Sequence, residues 1–225
     1  MGYDIIHTIS PDAPTIYPRI RVESTTEPVS FDPAATAFVI IDPQNYFLSP
    51  YPGRPANSLD LAVVDTLLEH AIPACVEADI PVVWLGWGVT DEHIDGMSPT
   101  IIKWEMVNGG RVLMKKQWNS GQYHQFLDAP KPQDIWVYKN RLSAFWGDTG
   151  VKRILEARGI RTLLLAGANL DQCVGRSSQG AYTHGWDCLL TSDGTATTSA
   201  EFERQCIECD TEGGVGFRPD LPATR

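Results

Sequence analysis

The chain is short of positive charge. Its 225 residues hold 18 Lys and Arg against 28 Asp and Glu, a formal net charge of -10. Nucleic acid and anionic membrane surfaces both call for basic patches, so neither is an expected partner. Long apolar runs are missing as well. None nears the roughly 18 residues that cross a bilayer, so no membrane span is expected. The stretch MGYDIIHTISPDAP has neither a basic start nor an apolar centre, so no signal peptide is expected. Ile6 stands where a myristoylation signal wants Ser or Thr. The expected location is the cytoplasm. Cysteine is scarce and odd in number: Cys75, Cys173, Cys188, Cys206 and Cys209. A chain this long with such a set is not expected to rest on disulfides. Cys206 and Cys209 form one C-x-x-C with no second pair, which leaves a zinc site short of ligands.

What is present is enough chain for one large core, with 43% apolar residues. Six segments read as strands: Thr36–Ile41, Ile80–Leu85, Arg111–Lys116, Asp134–Tyr138, Thr162–Ala166 and Asp187–Thr191. Helical spacing lies between and after them, at Leu59–Asp79, Thr149–Ala157, Cys173–His184 and Ser199–Cys209. Alternating strands and helices predict an α/β fold. The sheet is expected to be doubly wound and mainly parallel, six-stranded, with helices on both faces. Residues 1–35, rich in Pro, Ser, Thr and Asp, read as an N-terminal arm with one short edge strand. Residues 36–209 read as the domain and 210–225 as a tail. The excursion Gly86–Gly110 is long enough to be functional or to carry small helices of its own.

In such a sheet, ligands bind beyond the carboxyl ends of the strands. Asp42, Lys139 and Cys173 each fall at such an end or at the helix that follows it. Cys173 opens a helix, where free N–H groups and the macrodipole favour a thiolate. Asp42 can take its proton and return it to a leaving group, while Lys139 lowers the thiol pKa and orients the carboxylate. Cys173 then attacks an electrophilic carbon. The backbone N–H groups of Asn169 and Cys173 are the expected oxyanion donors. Each residue also has a plainer reading: a buried inert thiol, a turn-capping aspartate before Pro43, a surface lysine. Tyr46, Phe47, Trp87, Trp118, Phe145 and Trp146 are candidates to line a flat pocket, or simply to pack. Asn45, Gln117, Asn119 and Asn140 are candidates to orient an amide or carboxylate. Arg176 is a candidate for an anionic group on the substrate, or a plain helix-face charge.

Three stretches carry a family resemblance: AFVIIDPQNYF, VYKNRLSAFWGDTGVKRILEARGIRTLLLAGANLDQCV and SSQGAYTHGWDCLLTSDGTAT. Together they resemble the isochorismatase-like cysteine hydrolases, over roughly Thr36 to Ala200. That superfamily includes nicotinamidases, N-carbamoylsarcosine amidases, ureidoacrylate-type amidohydrolases and isochorismatases. The resemblance implies that Asp42 is the catalytic aspartate, Lys139 the lysine and Cys173 the nucleophile. It also implies a non-proline cis peptide at Ala168–Asn169. Two positions depart from the family pattern. Pro43 replaces an apolar residue after the aspartate, and Leu170 stands where the family usually has Thr. Nicotinamidases of the family bind a metal through Asp-x-His and further histidines. Asp91 and His93 match that start, but the next histidine is His124, so no metal and no cofactor are expected. His93 reads as a polar loop residue.

The expected activity is hydrolysis of a C–N bond in a small amide, ureide or carbamoyl compound. The alternatives are cleavage of the vinyl ether of isochorismate, which needs no thiol, and a catalytically idle binding protein. Beyond the small-molecule substrate, the expected partner is a second copy of the chain, as a dimer or tetramer.

Overall fold

The computed structural model describes residues 3–4, 19–25, 29–48, 60–101 and 124–212. Among the described residues there are two sheets. Strands β1 (Tyr3–Asp4), β2 (Ile20–Val22) and β3 (Val29–Phe31) form a small one in the order β1-β3-β2. Where one short edge strand is expected in residues 1–35, the described residues there hold three short strands that pair with one another. Val29 and Phe31 point from this sheet into the hydrophobic core.

The main sheet holds β4 (Thr36–Ile41), β5 (Val82–Trp87), β6 (Ile135–Lys139), β7 (Thr162–Ala168) and β8 (Asp187–Ala196) in the order β6-β5-β4-β7-β8. Every neighbouring pair is parallel. Five of the six expected strands are thus found among the described residues. The remaining one, Arg111–Lys116, lies outside them. β4 and β5 are buried along their whole length, as unbroken apolar runs require. β6 alternates, with Trp136 and Tyr138 exposed, as suits the end of the sheet. Asp134 precedes β6 instead of starting it. Its carboxylate accepts from the Trp84 indole (2.8 Å) and the Val82 N–H (3.3 Å), which fixes the β5–β6 register.

The helices are α1 (Asn45–Leu48), α2 (Asp60–Thr66), α3 (Ile72–Glu77), α4 (Asp91–Asp95), α5 (Pro99–Ile101), α6 (Val151–Ala157), α7 (Gly175–Thr183) and α8 (Glu201–Asp210). A π-turn at Leu67–Ala71 joins α2 to α3, just before Pro73. The excursion after β5 does carry small helices, α4 and α5. No helix among the described residues is long and apolar enough to cross a membrane.

The strand order runs outward from β4 in both directions. With right-handed crossovers, the helices of the two halves fall on opposite faces. The reversal lies between β4 and β7, and the crevice outside their carboxyl ends is where such folds place ligands.

Candidate active site

Asp42 directly follows β4. Its φ is 57°, in the left-handed region that Asp tolerates better than most side chains. Its N–H donates to the Leu85 carbonyl and its own carbonyl accepts from the Gln44 N–H, both at 2.7 Å. The chain turns sharply there, and the carboxylate is fully buried.

Lys139 ends β6, with β5 between it and β4. Its Nζ lies 3.0 Å from Asp42 Oδ2 and donates to Cys173 Sγ at 3.2 Å. To get there the side chain crosses the end of β5. The Trp87 ring lies beneath it, 3.7 Å from Nζ to the centroid, a cation–π contact in a dry setting. Trp87 is pinned by Gln44. Its N–H donates to Gln44 Oε1 (2.8 Å) and its carbonyl accepts from Gln44 Nε2 (3.1 Å).

Cys173 lies in a π-turn, Leu170–Val174, that leads into α7. Helical winding therefore begins three residues earlier than the spacing predicts, and the thiol sits at the end of the opening turn. Val174 N–H donates to the Asn169 carbonyl at 3.1 Å, closing that turn. The peptide bond Ala168–Asn169 is cis. Asn169 is buried, and its Oδ1 has no hydrogen-bond partner among the described residues.

The electrostatics differ from expectation. Burial pushes the Asp42 carboxyl up, although Lys139, the thiol and the Trp87 indole oppose it. Burial and the Asp42 charge push the Cys173 thiol up, with Lys139 opposing. The sequence reading has Lys139 and the helix end lowering that pKa. One ammonium shared with a carboxylate does not outweigh the desolvation of a thiolate that is 2% exposed. Burial thus favours the neutral thiol, which shares the Lys139 ammonium with the Asp42 carboxylate. Cys75 and Cys188 are likewise pushed to about 12 by burial. An upward shift does not single out Cys173; its two charged neighbours do.

The other candidates divide. Trp87 is 1% exposed and supports Lys139 instead of facing an open pocket. Phe47 belongs to the core and meets half-buried Tyr46 edge-on at 5.0 Å. Phe145 packs on Trp186. Asn140 follows Lys139 in a loop that the Ala144 N–H ties to Ser177 Oγ at 3.2 Å, and Trp146 on that loop is exposed. Arg176 is exposed and lines a groove of about 470 Å³ between α7 and α8, with Leu142, Gln172 and Phe202; none of Asp42, Lys139 or Cys173 lines it. Trp118, Gln117 and Asn119 lie outside the described residues. Sequence reasoning missed Gln44 as a support. Gln44 had a signal in its place two residues after Asp42, but its partner is a backbone that spacing does not reveal.

His93 is a helix residue, not a loop residue. Its Nδ1 accepts from the Thr90 N–H at 3.2 Å, and its own N–H donates to Thr90 Oγ1, which caps α4. Among the described residues no three His, Cys, Asp or Glu side chains are gathered to hold a metal ion.

A family model described as the isochorismatase domain matches residues 36–211. The ureidoacrylate amidohydrolase RutB of Caulobacter segnis is 27% identical over 92% of each chain. The RutB of Pseudomonas syringae pv. syringae is 25% identical over 92% of this chain and 89% of that protein. Among solved structures, a cysteine hydrolase from Pseudomonas syringae pv. phaseolicola superposes with a TM-score of 0.72 at 18% identity, over 92% of this chain and 94% of that one. The N-carbamoylsarcosine amidase from Thermoplasma acidophilum gives 0.67 at 22%, over 84% and 98%. At these identities the solved structures show the fold.

Proposed function

Because this chain belongs to the isochorismatase family, we propose that it hydrolyses a C–N bond of a small ureide, amide or carbamoyl compound, with Cys173 as nucleophile. One observation carries the reading: a single buried ammonium, Lys139 Nζ, lies 3.0 Å from the Asp42 carboxylate and 3.2 Å from the Cys173 sulfur. The likeness to ureidoacrylate amidohydrolases along nearly the whole chain supports the substrate class.

Asp42 takes the thiol proton while Sγ forms a bond to the carbonyl carbon, and the carbonyl oxygen becomes an oxyanion. The backbone N–H groups of Asn169 and Cys173 receive that charge. The C–N bond breaks, Asp42 passes its proton to the departing nitrogen, and ammonia or an amine leaves an acyl-thiol behind. Asp42 then takes a proton from water, whose oxygen attacks the same carbon. The acid departs, and the sulfur regains its proton from Asp42. Lys139 holds both partners.

The test is release of ammonia from a panel of small amides and ureides that includes ureidoacrylate, run beside release of pyruvate from isochorismate. Turnover of a ureide or amide, abolished by Cys173→Ala, is the expected result. Pyruvate release that survives Cys173→Ala would overturn the thiol mechanism in favour of vinyl-ether cleavage.

A further inference from the structure

We propose that Asp171 is a positioning residue for the nucleophile, acting through two hydroxyl groups on the segment after β8. The inference rests on Cys173 being the nucleophile. Asp171 sits two residues before Cys173, within the same π-turn. Its Oδ1 accepts from Thr197 Oγ1 in a short hydrogen bond, and its Oδ2 accepts from Ser199 Oγ at 2.8 Å. Thr197 Oγ1 in turn accepts the Ser199 N–H at 3.1 Å. One carboxylate thus has both oxygens engaged by a closed ring.

That ring fastens the corner to its neighbour at a second point. In the sheet, Ala168 pairs with Ala196, the last residue of β8. Ala168 precedes Asn169, and Thr197 follows Ala196. The backbone ladder therefore fixes the entry to the corner, and the Asp171 ring fixes its exit. Cys173 comes next. On the far side, Gly175 leaves no slack. A Cβ built there would lie 2.9 Å from the Leu170 carbonyl and 3.2 Å from Ile207 of α8. The sulfur is carried between two fixed points.

Asp171 does not act as a charge on the thiol. The groups that shift Cys173 are Asp42 and Lys139, together with burial. Its effect is on where Sγ stands relative to Lys139 Nζ, and misplacement by about 1 Å is enough to cost about 10²-fold in rate. This sets the role apart from that of an acid placed in a first turn for the helix dipole, which acts through charge alone.

The test uses five substitutions, one pair of them also combined, and three readouts. Asp171→Ala removes both links. Asp171→Asn keeps them, because its carbonyl accepts from Thr197 and its amide donates to Ser199 Oγ. Thr197→Val removes a hydroxyl that Thr197→Ser retains, and Ser199→Ala removes the second hydroxyl. The readouts are kcat and KM on the substrate found by the panel, the rate of iodoacetamide alkylation of Cys173 by mass spectrometry, and thermal unfolding. Asp171→Ala and Thr197→Val should lower kcat and alkylation by about 10- to 100-fold with KM little changed. Asp171→Asn and Thr197→Ser should recover most of that loss, and adding Ser199→Ala to Asp171→Ala should cost nothing more. The proposal is overturned if Asp171→Asn is as poor as Asp171→Ala, which marks a charge effect. It is also overturned if the variants lose thermal stability while the folded enzyme keeps its kcat. If the parent enzyme turns over nothing on the panel, it is the proposed hydrolysis that fails. The alkylation rates then still decide, and equal rates across the variants sink the anchoring role.

Discussion

An ammonium that is 1% exposed needs partners for its charge. Lys139 has three of different kinds: a carboxylate, a sulfur and an aromatic face. A planar guanidinium does not share itself among that set from one point, so Lys139→Arg is not a conservative change here. The carboxylate depends on the same contact. Burial holds the Asp42 pKa above its ordinary 3.8, and Lys139 is the largest force opposing that rise. If Asp42 is the base proposed above, it works only above its pKa, so the acid limb of kcat/KM should lie above the usual carboxylate range. Removing the ammonium by Lys139→Met should move this limb to still higher pH, because Asp42 then protonates to escape a lone buried charge. At neutral pH the variant should lose about 10²- to 10⁴-fold in kcat/KM. A pH–rate profile of the two proteins checks this, and an unmoved or lowered limb would contradict it. The three residues were legible from sequence because each stands at a strand end or at the start of the helix that follows one. The direction of the thiol shift was not, since spacing says nothing of how dry a site is. For the same reason the sequence leaves Trp87 and Phe47 open between pocket lining and packing; in the structure one supports the lysine and the other fills core.

At the scale of elements, the site depends on a junction of two strand ends that has no room for a side chain. Gly167 has φ 115°, and a Cβ there would lie 2.0 Å from the Ile41 carbonyl oxygen. Ile41 and Gly167 are register partners, and Asp42 and Asn169 extend from these two strands. The lack of a side chain lets β4 and β7 approach where the acid and the corner must meet. Gly167→Ala meets both a φ that favours glycine and backbone that cannot move aside. It should destabilise the fold by at least about 2 kcal/mol. Activity should fall further than the loss of folded protein explains, because the shifted ends carry the site. Denaturant unfolding and kcat per folded molecule separate the two effects. Strand identity was readable here, since TAFVII and TLLLA are apolar runs of strand length with glycine and proline at their borders. The ends were less so. β7 runs to Ala168 and β8 to Ala196, because pairing with a neighbour extends a strand past the residues whose composition announces it. Thr191 Oγ1 donates to the Leu165 carbonyl at 2.8 Å where the β7–β8 register shifts, a tertiary contact with no local signature.

For the molecule as a whole, the acidic balance bears on stability as well as on partners. A net charge of -10 means that neutral pH already carries self-repulsion, which eases as carboxylates protonate. Buried carboxyls reinforce the trend. Asp187 begins β8 beside Thr162, is half-buried, and is pushed by burial from 3.8 to about 6. The folded state therefore binds this proton more tightly than the unfolded chain does. Stability from this group falls as pH rises from about 4 to about 6 and then stays level. A shift of that size would be worth about 3 kcal/mol if felt in full, but solvent screening of a half-exposed group leaves about 1 kcal/mol. Asp187→Asn keeps the shape of the protonated form at every pH. Its unfolding midpoint at pH 8 should exceed that of the parent by about 2–4 °C. The difference should shrink as pH falls through 6 and vanish near 4, where the parent carboxyl is itself neutral. Calorimetry across pH 4–8 reads this directly. A gain that persists at pH 4 would place its origin in packing, and a loss at pH 8 would show that the carboxylate has a partner that outweighs its burial.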